Sequence, residues 1–178
     1  MTYLSFKMEW NSEWRKDLGP APLTELGFAV IHGEDIKLVN RPDISLEDLL
    51  ADIRAFHVCV IEQYYMEQVK TMVADMFSEG TYHTDGERRP LILIDQGFYD
   101  DIKLIKKNYG IDTDKTDVFE IIQARYVALD AGTLGPTDLK GLKRLTRAFG
   151  LGTAESWYLH NAGNDAIVTL CRPSYRTQ

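Results

Sequence analysis

Hydrophobic positions follow two different periods along this chain, and together they predict a sheet with helices. Apolar runs rich in β-branched and aromatic residues predict strands at residues 3–10, 23–31, 36–39, 91–94 and 118–122. Apolar positions three and four residues apart predict helices at residues 45–53, 64–77, 102–109, 123–128 and 137–149. Residues 56–61 fit either a buried strand or the end of the preceding helix, and both readings stay open.

The order of these elements predicts an α/β fold. Strands dominate the first part of the chain, where a turn at residues 32–35 indicates an antiparallel meander. Strands and helices alternate afterwards, which predicts a mixed sheet flanked by helices. The chain has 178 residues and shows no internal repeat or linker, so we expect a single domain over residues 1–178.

Charge and composition narrow the possible binding partners and cellular locations of the protein. The formal charge of −7 argues against broad electrostatic capture of nucleic acid. Residues 1–90 carry 9 basic and 16 acidic side chains, whereas residues 91–178 carry 11 of each. The sequence has neither an apolar run near the roughly 20 residues that span a bilayer nor a signal-peptide pattern. Cys59 and Cys171 lie in apolar surroundings, so we expect reduced core cysteines and an intracellular protein, cytoplasmic or nuclear.

The stretch over residues 159–166 carries candidate chemistry. His160 precedes Asp165 with four residues between them, and an apolar segment follows. Gly163 loosens the backbone and Asn164 is expected to cap a helix, whose first turn would then contain Asp165. A histidine beside a metal-binding carboxylate can activate water against a phosphodiester. A loop histidine followed by an aspartate near a helix start is also common in purely structural settings.

Residues 160–166, with the sequence His-Asn-Ala-Gly-Asn-Asp-Ala, resemble the third motif of the DEDDh 3′–5′ exonucleases. The similarity is greatest to the fungal branch that includes the exonuclease partner of the quelling Argonaute. This resemblance implies a ribonuclease H-like fold, two divalent ions (Mg²⁺ or Mn²⁺) and removal of nucleotides from 3′ ends. It also implies a catalytic role for His160 and a metal-binding role for Asp165.

The first and second motifs of that family have counterparts earlier in the chain. Glu9 stands at the glutamate of the first motif, and residues 23–27 (Leu-Thr-Glu-Leu-Gly) match the stretch that follows it. Asp101 best matches the aspartate of the second motif, with Asp100 as the alternative, and Asp95-Gln96 replaces the usual Gly-His. The resemblance implies that Glu9 and Asp101 are catalytic metal ligands.

Lys7 departs from the family pattern, because it stands where the first motif has its metal-bridging aspartate. The change alters the local charge by about two units, and each unit is worth about 4 kcal/mol at about 4 Å and an effective dielectric near 20. Two-metal catalysis is therefore expected to be impaired or lost. In one interpretation Lys7 replaces a metal by pairing with Glu9 and Asp165. In the other, Asp95 or Asp100 supplies the lost ligand and His160 acts as general base.

Basic and aromatic residues suggest how a nucleic acid would be held. The candidate phosphate contacts are Lys103, Lys106, Lys140 and Lys143. Trp10, Trp14, Tyr99 and Trp157 are candidates for stacking on bases, although aromatic residues are more often core. The expected partner is a single-stranded nucleic acid, RNA or DNA, and no membrane. The alternative is a catalytically inactive module of the same fold that binds a protein partner.

Overall fold

A five-stranded mixed sheet forms the centre of the protein. The computed structural model describes residues 1–11, 23–34, 46–60, 66–78, 90–95, 98–113, 116, 118–130, 142–148 and 161–174. The strands are β1 (Thr2–Trp10), β2 (Leu23–His32), β3 (Arg54–Cys59), β4 (Leu91–Asp95) and β5 (Val118–Gln123). Their order across the sheet is β3-β2-β1-β4-β5.

The two sides of this sheet differ in direction. β1, β2 and β3 pair antiparallel, whereas β4 runs parallel to both β1 and β5. The predicted mixed α/β sheet with an N-terminal antiparallel meander is confirmed. β1 lies in the middle of the sheet, so residues near its end face both the meander and the parallel strands.

Helices flank the sheet. They are α1 (Leu46–Asp52), α2 (Met66–Ser78), α3 (Phe98–Tyr109), α4 (Ala124–Asp130), α5 (Leu142–Ala148) and α6 (Ala162–Ser174). One apolar cluster joins the β1 and β2 face carrying Phe6 and Phe28 to α2 and α3. A second cluster joins the opposite face, through Ala29 and Ile94, to Ala166 and its neighbours in α6. The central strands β1, β2 and β4 are therefore covered on both faces, whereas the edge strands β3 and β5 are largely exposed.

Several predicted elements shift when the chain is folded. The ambiguous segment is the strand β3, which completes the meander, while the predicted strand at residues 36–39 lies outside the described residues. α3 begins at Phe98 rather than at residue 102, which places Asp101 in its first turn. It ends as predicted, with Gly110 at φ 70°, a left-handed conformation that favours glycine.

Two further observations concern the setting of the chain. Cys59 is exposed rather than part of the core, because it ends an edge strand. The prediction of a core cysteine there was wrong, and the Cys171 side chain lies outside what the structure describes. Among the helices described, none has the length and apolar character needed to cross a membrane.

Candidate functional site

Lys7 lies at the centre of a group of acidic side chains. Its Nζ forms an ion pair with Asp95, and it lies 3.9 Å from Oδ2 of Asp101. The Lys7 and Asp101 side chains are 11% and 19% exposed, and that of Asp95 is fully buried. We call Lys7, Asp95 and Asp101 the charge centre. Its single cation faces two carboxylates in a place largely removed from water, where charges are costly unless they are paired.

Topology explains why these three residues meet. β1 and β4 run parallel and are paired from Thr2 with Leu91 to Leu4 with Leu93. The carboxyl ends of parallel strands share one edge of a sheet, which is where α/β proteins commonly bind ligands. Asp95 is the last residue of β4, Lys7 lies beyond the part of β1 that pairs with β4, and Asp101 lies in the first turn of the next helix. The charge centre therefore lies at the edge formed by the carboxyl ends of β1 and β4, which we call the lip of the sheet.

The start of α6 packs closely against β2 next to Lys7. Lys7 pairs across the strands with Gly27, so their side-chain positions point to the same face of the sheet. A Cβ atom on Gly27 would collide with the backbone of Ala162 and Gly163. Only glycine lets the helix approach the strand this closely. Asp165, in the first turn of α6 and 7% exposed, consequently lies on the face that carries Lys7.

The cap of α6 differs from the prediction. The helix begins at Ala162, and Oδ1 of Asn161 accepts a hydrogen bond from the backbone N–H of Asn164 at 3.1 Å. Asn161 is thus the capping residue, and Asn164 lies inside the helix. The prediction of Asn164 as the cap was wrong, because Asn161 lies immediately before the helix and its side chain accepts the capping hydrogen bond. Asp165 nevertheless sits in the first turn, as expected, near the positive end of the helix dipole.

Glu25 and His57, for which the sequence predicted no role, connect the start of α6 to the antiparallel strands by hydrogen bonds. Oε2 of Glu25 accepts hydrogen bonds from the backbone N–H of Ala162 and from Nε2 of His57, both at 3.1 Å. The Asn161 amide nitrogen lies 3.3 Å from the same His57 nitrogen. We call Glu25, Gly27, His57 and Asn161 the α6 junction. Glu25 and Gly27 belonged to a recognised motif stretch, which was the available signal, but His57 carried none.

The predicted site residues divide into three groups. Asp101 lies 3.9 Å from Lys7. Glu9 pairs with Glu25 on the face of the sheet that α6 covers, and Asp165 lies in the first turn of α6. His160 and Lys140 lie outside the described residues. The ion pairs described above join Lys7 to Asp95 and Asp101, and the suggested pairing of Lys7 with Glu9 and Asp165 stays a prediction.

The described residues do not fit a pair of divalent ions. They contain no group of three or more His, Cys, Asp or Glu side chains arranged to hold a metal. The ammonium of Lys7 lies against Asp95 and near Asp101, so it places positive charge where a cation would have to bind. Electrostatic repulsion would oppose a metal at this position.

The candidate phosphate contacts are placed differently from one another. Lys103 on α3 and Lys143 on α5 are exposed. Nζ of Lys106 lies 2.9 Å from Oδ2 of Asp112, which partly neutralises its charge. Arg144 and Arg147 add exposed basic groups on α5. Of the candidate stacking residues, Trp10 is partly buried and packs against the core, and the others lie outside the described side chains.

A crystal structure of the EXD2 exonuclease domain soaked in Mg and GMP is similar over 97% of this chain and 71% of its own, at 17% identity. Its TM-score is 0.28, which is too low to establish a shared fold. No curated protein matches the chain.

The family comparison is more informative. The DEDDh family model described as DNA polymerase III subunit epsilon-like, C-terminal domain, matches residues 62–172. That stretch is more than half of the chain and includes Asp101 and Asp165, whereas Lys7 and Glu9 precede it. The chain therefore belongs to the DEDDh exonuclease family, DNA polymerase III subunit epsilon-like.

Proposed function

We propose that the chain is a DEDDh exonuclease-like domain that binds the 3′ ends of single-stranded nucleic acid. Lys7 impairs or abolishes two-metal catalysis in this proposal. Proteins of the family act on nucleic acid with divalent metals, generally Mg²⁺ or Mn²⁺. The observation that carries the proposal is the ion pairing of Lys7 with Asp95 and its approach to Asp101. The similarity to the fungal branch stays an expectation.

The charge centre supports binding without efficient hydrolysis. Two ions about 4 Å apart need a negative bridging group. Lys7 offers a positive group instead, and its ion pair with Asp95 already balances one carboxylate. Glu9, Asp101 and Asp165 would be left to hold metal without the bridge. His160 would be the general base in any residual hydrolysis, as the resemblance implies.

Asp95 is a poor substitute for the missing ligand. Its side chain is fully buried and forms an ion pair with Lys7. Turning this carboxylate toward a metal would leave the Lys7 ammonium, itself only 11% exposed, without that partner. The interpretation in which Asp95 restores an active nuclease therefore has little support, and Asp100 is left as the other candidate.

The exposed basic residues support the binding half of the proposal. Lys103 on α3 follows Asp101 by two residues, so its backbone lies near the charge centre, whereas its exposed side chain leaves the helix on a different side. Lys143 on α5 belongs to a helix that packs against α6. A strand whose 3′ end lies at the charge centre and whose backbone passes over α3 and α5 would meet both cations. Lys106 and Lys140 are secondary candidates.

Restoring the bridging aspartate tests the proposal. Lys7→Asp alone would place two carboxylates together in a buried site, so Lys7→Asp combined with Asp95→Asn is the informative variant. We expect this double variant to trim a 3′-labelled single strand in Mn²⁺ at least tenfold faster than the native chain. Binding of the same strand without metal should change much less and should weaken with salt.

Three results would contradict the proposal. Equal trimming by the native chain and the double variant would show that Lys7 does not impair catalysis. No trimming by either chain, with both folded and binding Mn²⁺, would contradict the site assignment. No salt-sensitive binding by the native chain would favour the protein-interaction module instead. Asp95→Asn alone is the matched control, because it retains Lys7.

A further inference from the structure

An aromatic side chain and a cation lie together just beyond the end of β5. Tyr126 in α4 is 50% exposed, a large value for an aromatic residue within a helix. The Arg125 guanidinium carbon lies 4.7 Å from the centre of its ring, within cation–π range. Nη2 of Arg125 also donates a hydrogen bond to the Tyr126 hydroxyl at 3.1 Å. We call these two residues the Tyr–Arg pair.

The Tyr–Arg pair is partly ordered before any ligand binds. Arg125 is partly buried, and its Nε atom is fully buried with no hydrogen-bond partner in the described part of the chain. Burial restricts the inner end of the guanidinium, and its outer end contacts both the ring and the hydroxyl of Tyr126. A ring that is already held loses little conformational freedom when a flat ligand stacks on it. Half of the surface of Tyr126 is exposed to solvent.

The position of the pair connects it with the charge centre. Gln123, the last residue of β5, pairs with Asp95, and α4 begins at the next residue. Neighbouring strands lie about 5 Å apart and a helix rises about 1.5 Å per residue, so the Tyr126 backbone lies within roughly 10 Å of Asp95. A strand whose end lies at the charge centre would reach Tyr126 with one of its nearby nucleotides.

We propose that Tyr126, held by Arg125, is a stacking platform for a base of single-stranded nucleic acid. The inference rests on the proposed function and adds a second contact to it. A π face accepts any base, and the adjacent guanidinium adds attraction for the phosphates. This cation is what favours nucleic acid over an apolar protein segment. The acidic excess of the chain also lies elsewhere, because residues 91–178 carry 11 basic and 11 acidic groups.

Fluorescence anisotropy with labelled single-stranded DNA and RNA tests the platform. We expect Tyr126→Ala to weaken binding about 5- to 100-fold, which corresponds to about 1–3 kcal/mol. Tyr126→Phe should bind within about twofold of the native chain, because it retains the ring. Tyr126→Leu keeps apolar bulk without a π face and should bind as weakly as Tyr126→Ala. Being half exposed, the residue tolerates these changes without loss of the fold, which circular dichroism would verify.

Phe56→Ala is the matched control. Phe56 is 52% exposed and lies on β3, at the opposite edge of the sheet. Its removal should leave the affinity unchanged. If the native chain binds the oligonucleotides and Tyr126→Ala or Tyr126→Leu binds equally well, this inference is wrong while the proposed function stands. If the native chain binds neither oligonucleotide, both fail.

Discussion

The charge centre and the α6 junction lie side by side on the sheet but are stabilised by different kinds of interaction. The charge centre depends on one cation placed among carboxylates in a buried position. The α6 junction depends on directed hydrogen bonds to a helix start and on a glycine that removes steric bulk. The first contains Lys7, which the proposal places at a metal-bridging position, whereas the second contains Asn161 from the stretch that resembles the third motif.

In the proposed function, this difference means that the site has changed its chemistry and kept its architecture. Lys7 would then occupy a metal-bridging position and be balanced by Asp95, which stands where the resemblance implies glycine. Such an exchange keeps positive charge at the lip of the sheet without a metal. The contact between Gly27 and α6 has no similar compensation, because a side chain there would meet backbone atoms that cannot rotate away.

The largest effect is expected when the charge centre loses its cation. Lys7→Met removes the ion-pair partner of the buried Asp95 carboxylate and should lower the free energy of unfolding by about 3–5 kcal/mol. Urea denaturation would measure it. The matched variant, Lys7→Met with Asp95→Asn, removes both charges and should recover most of the loss. If the double variant is no more stable than Lys7→Met, the two side chains are not coupled.

The steric character of the α6 junction is tested by Gly27→Ala. One methyl group would collide with the backbone at the start of α6, so the free energy of unfolding should fall by about 3 kcal/mol. Gly110→Ala is the control, because its site has open space and only its φ of 70° is unfavourable. That control should cost about 1 kcal/mol. Equal losses in the two variants would mean that the helix does not rest on Gly27.

A smaller, pH-dependent effect concerns the far end of α3, whose first turn carries Asp101. Burial raises the pKa of Tyr109 from 10.0 to about 12, which disfavours the charged form in the folded protein. Its stabilising contribution is therefore complete below about pH 10 and is lost as the pH rises toward 12, by at most about 3 kcal/mol. Chemical denaturation across this range would detect the fall in stability.

Tyr109→Phe supplies the control for that pH dependence. The Tyr109 hydroxyl is buried and has no hydrogen-bond partner among the described residues, so its removal should cost little at neutral pH. The variant should lose less stability than the native chain between pH 10 and 12. An identical decline in both proteins would assign the pH dependence to other groups.

The amino-acid sequence by itself determined much of this protein. Alternation and apolar runs in β1, β2 and β4 identified the sheet, because side-chain direction along a strand depends on local backbone geometry. The motif stretches identified Glu9, Asp101 and Asp165 as one proposed site. They also showed that Lys7 differs from the residue that the resemblance implies at that position. The edge strand β3 stayed ambiguous, since an edge strand exposed on most positions lacks a strong period.

Tertiary structure alone decided which side chains meet. Asp95 as the partner of Lys7, Glu25 as the acceptor for the start of α6, and Asn161 as its cap all depend on contacts between distant segments. The Ala162 to Glu25 hydrogen bond spans 137 residues of chain. Local patterns cannot predict such pairs, because strand order and helix packing set their distances only after the whole sheet has assembled.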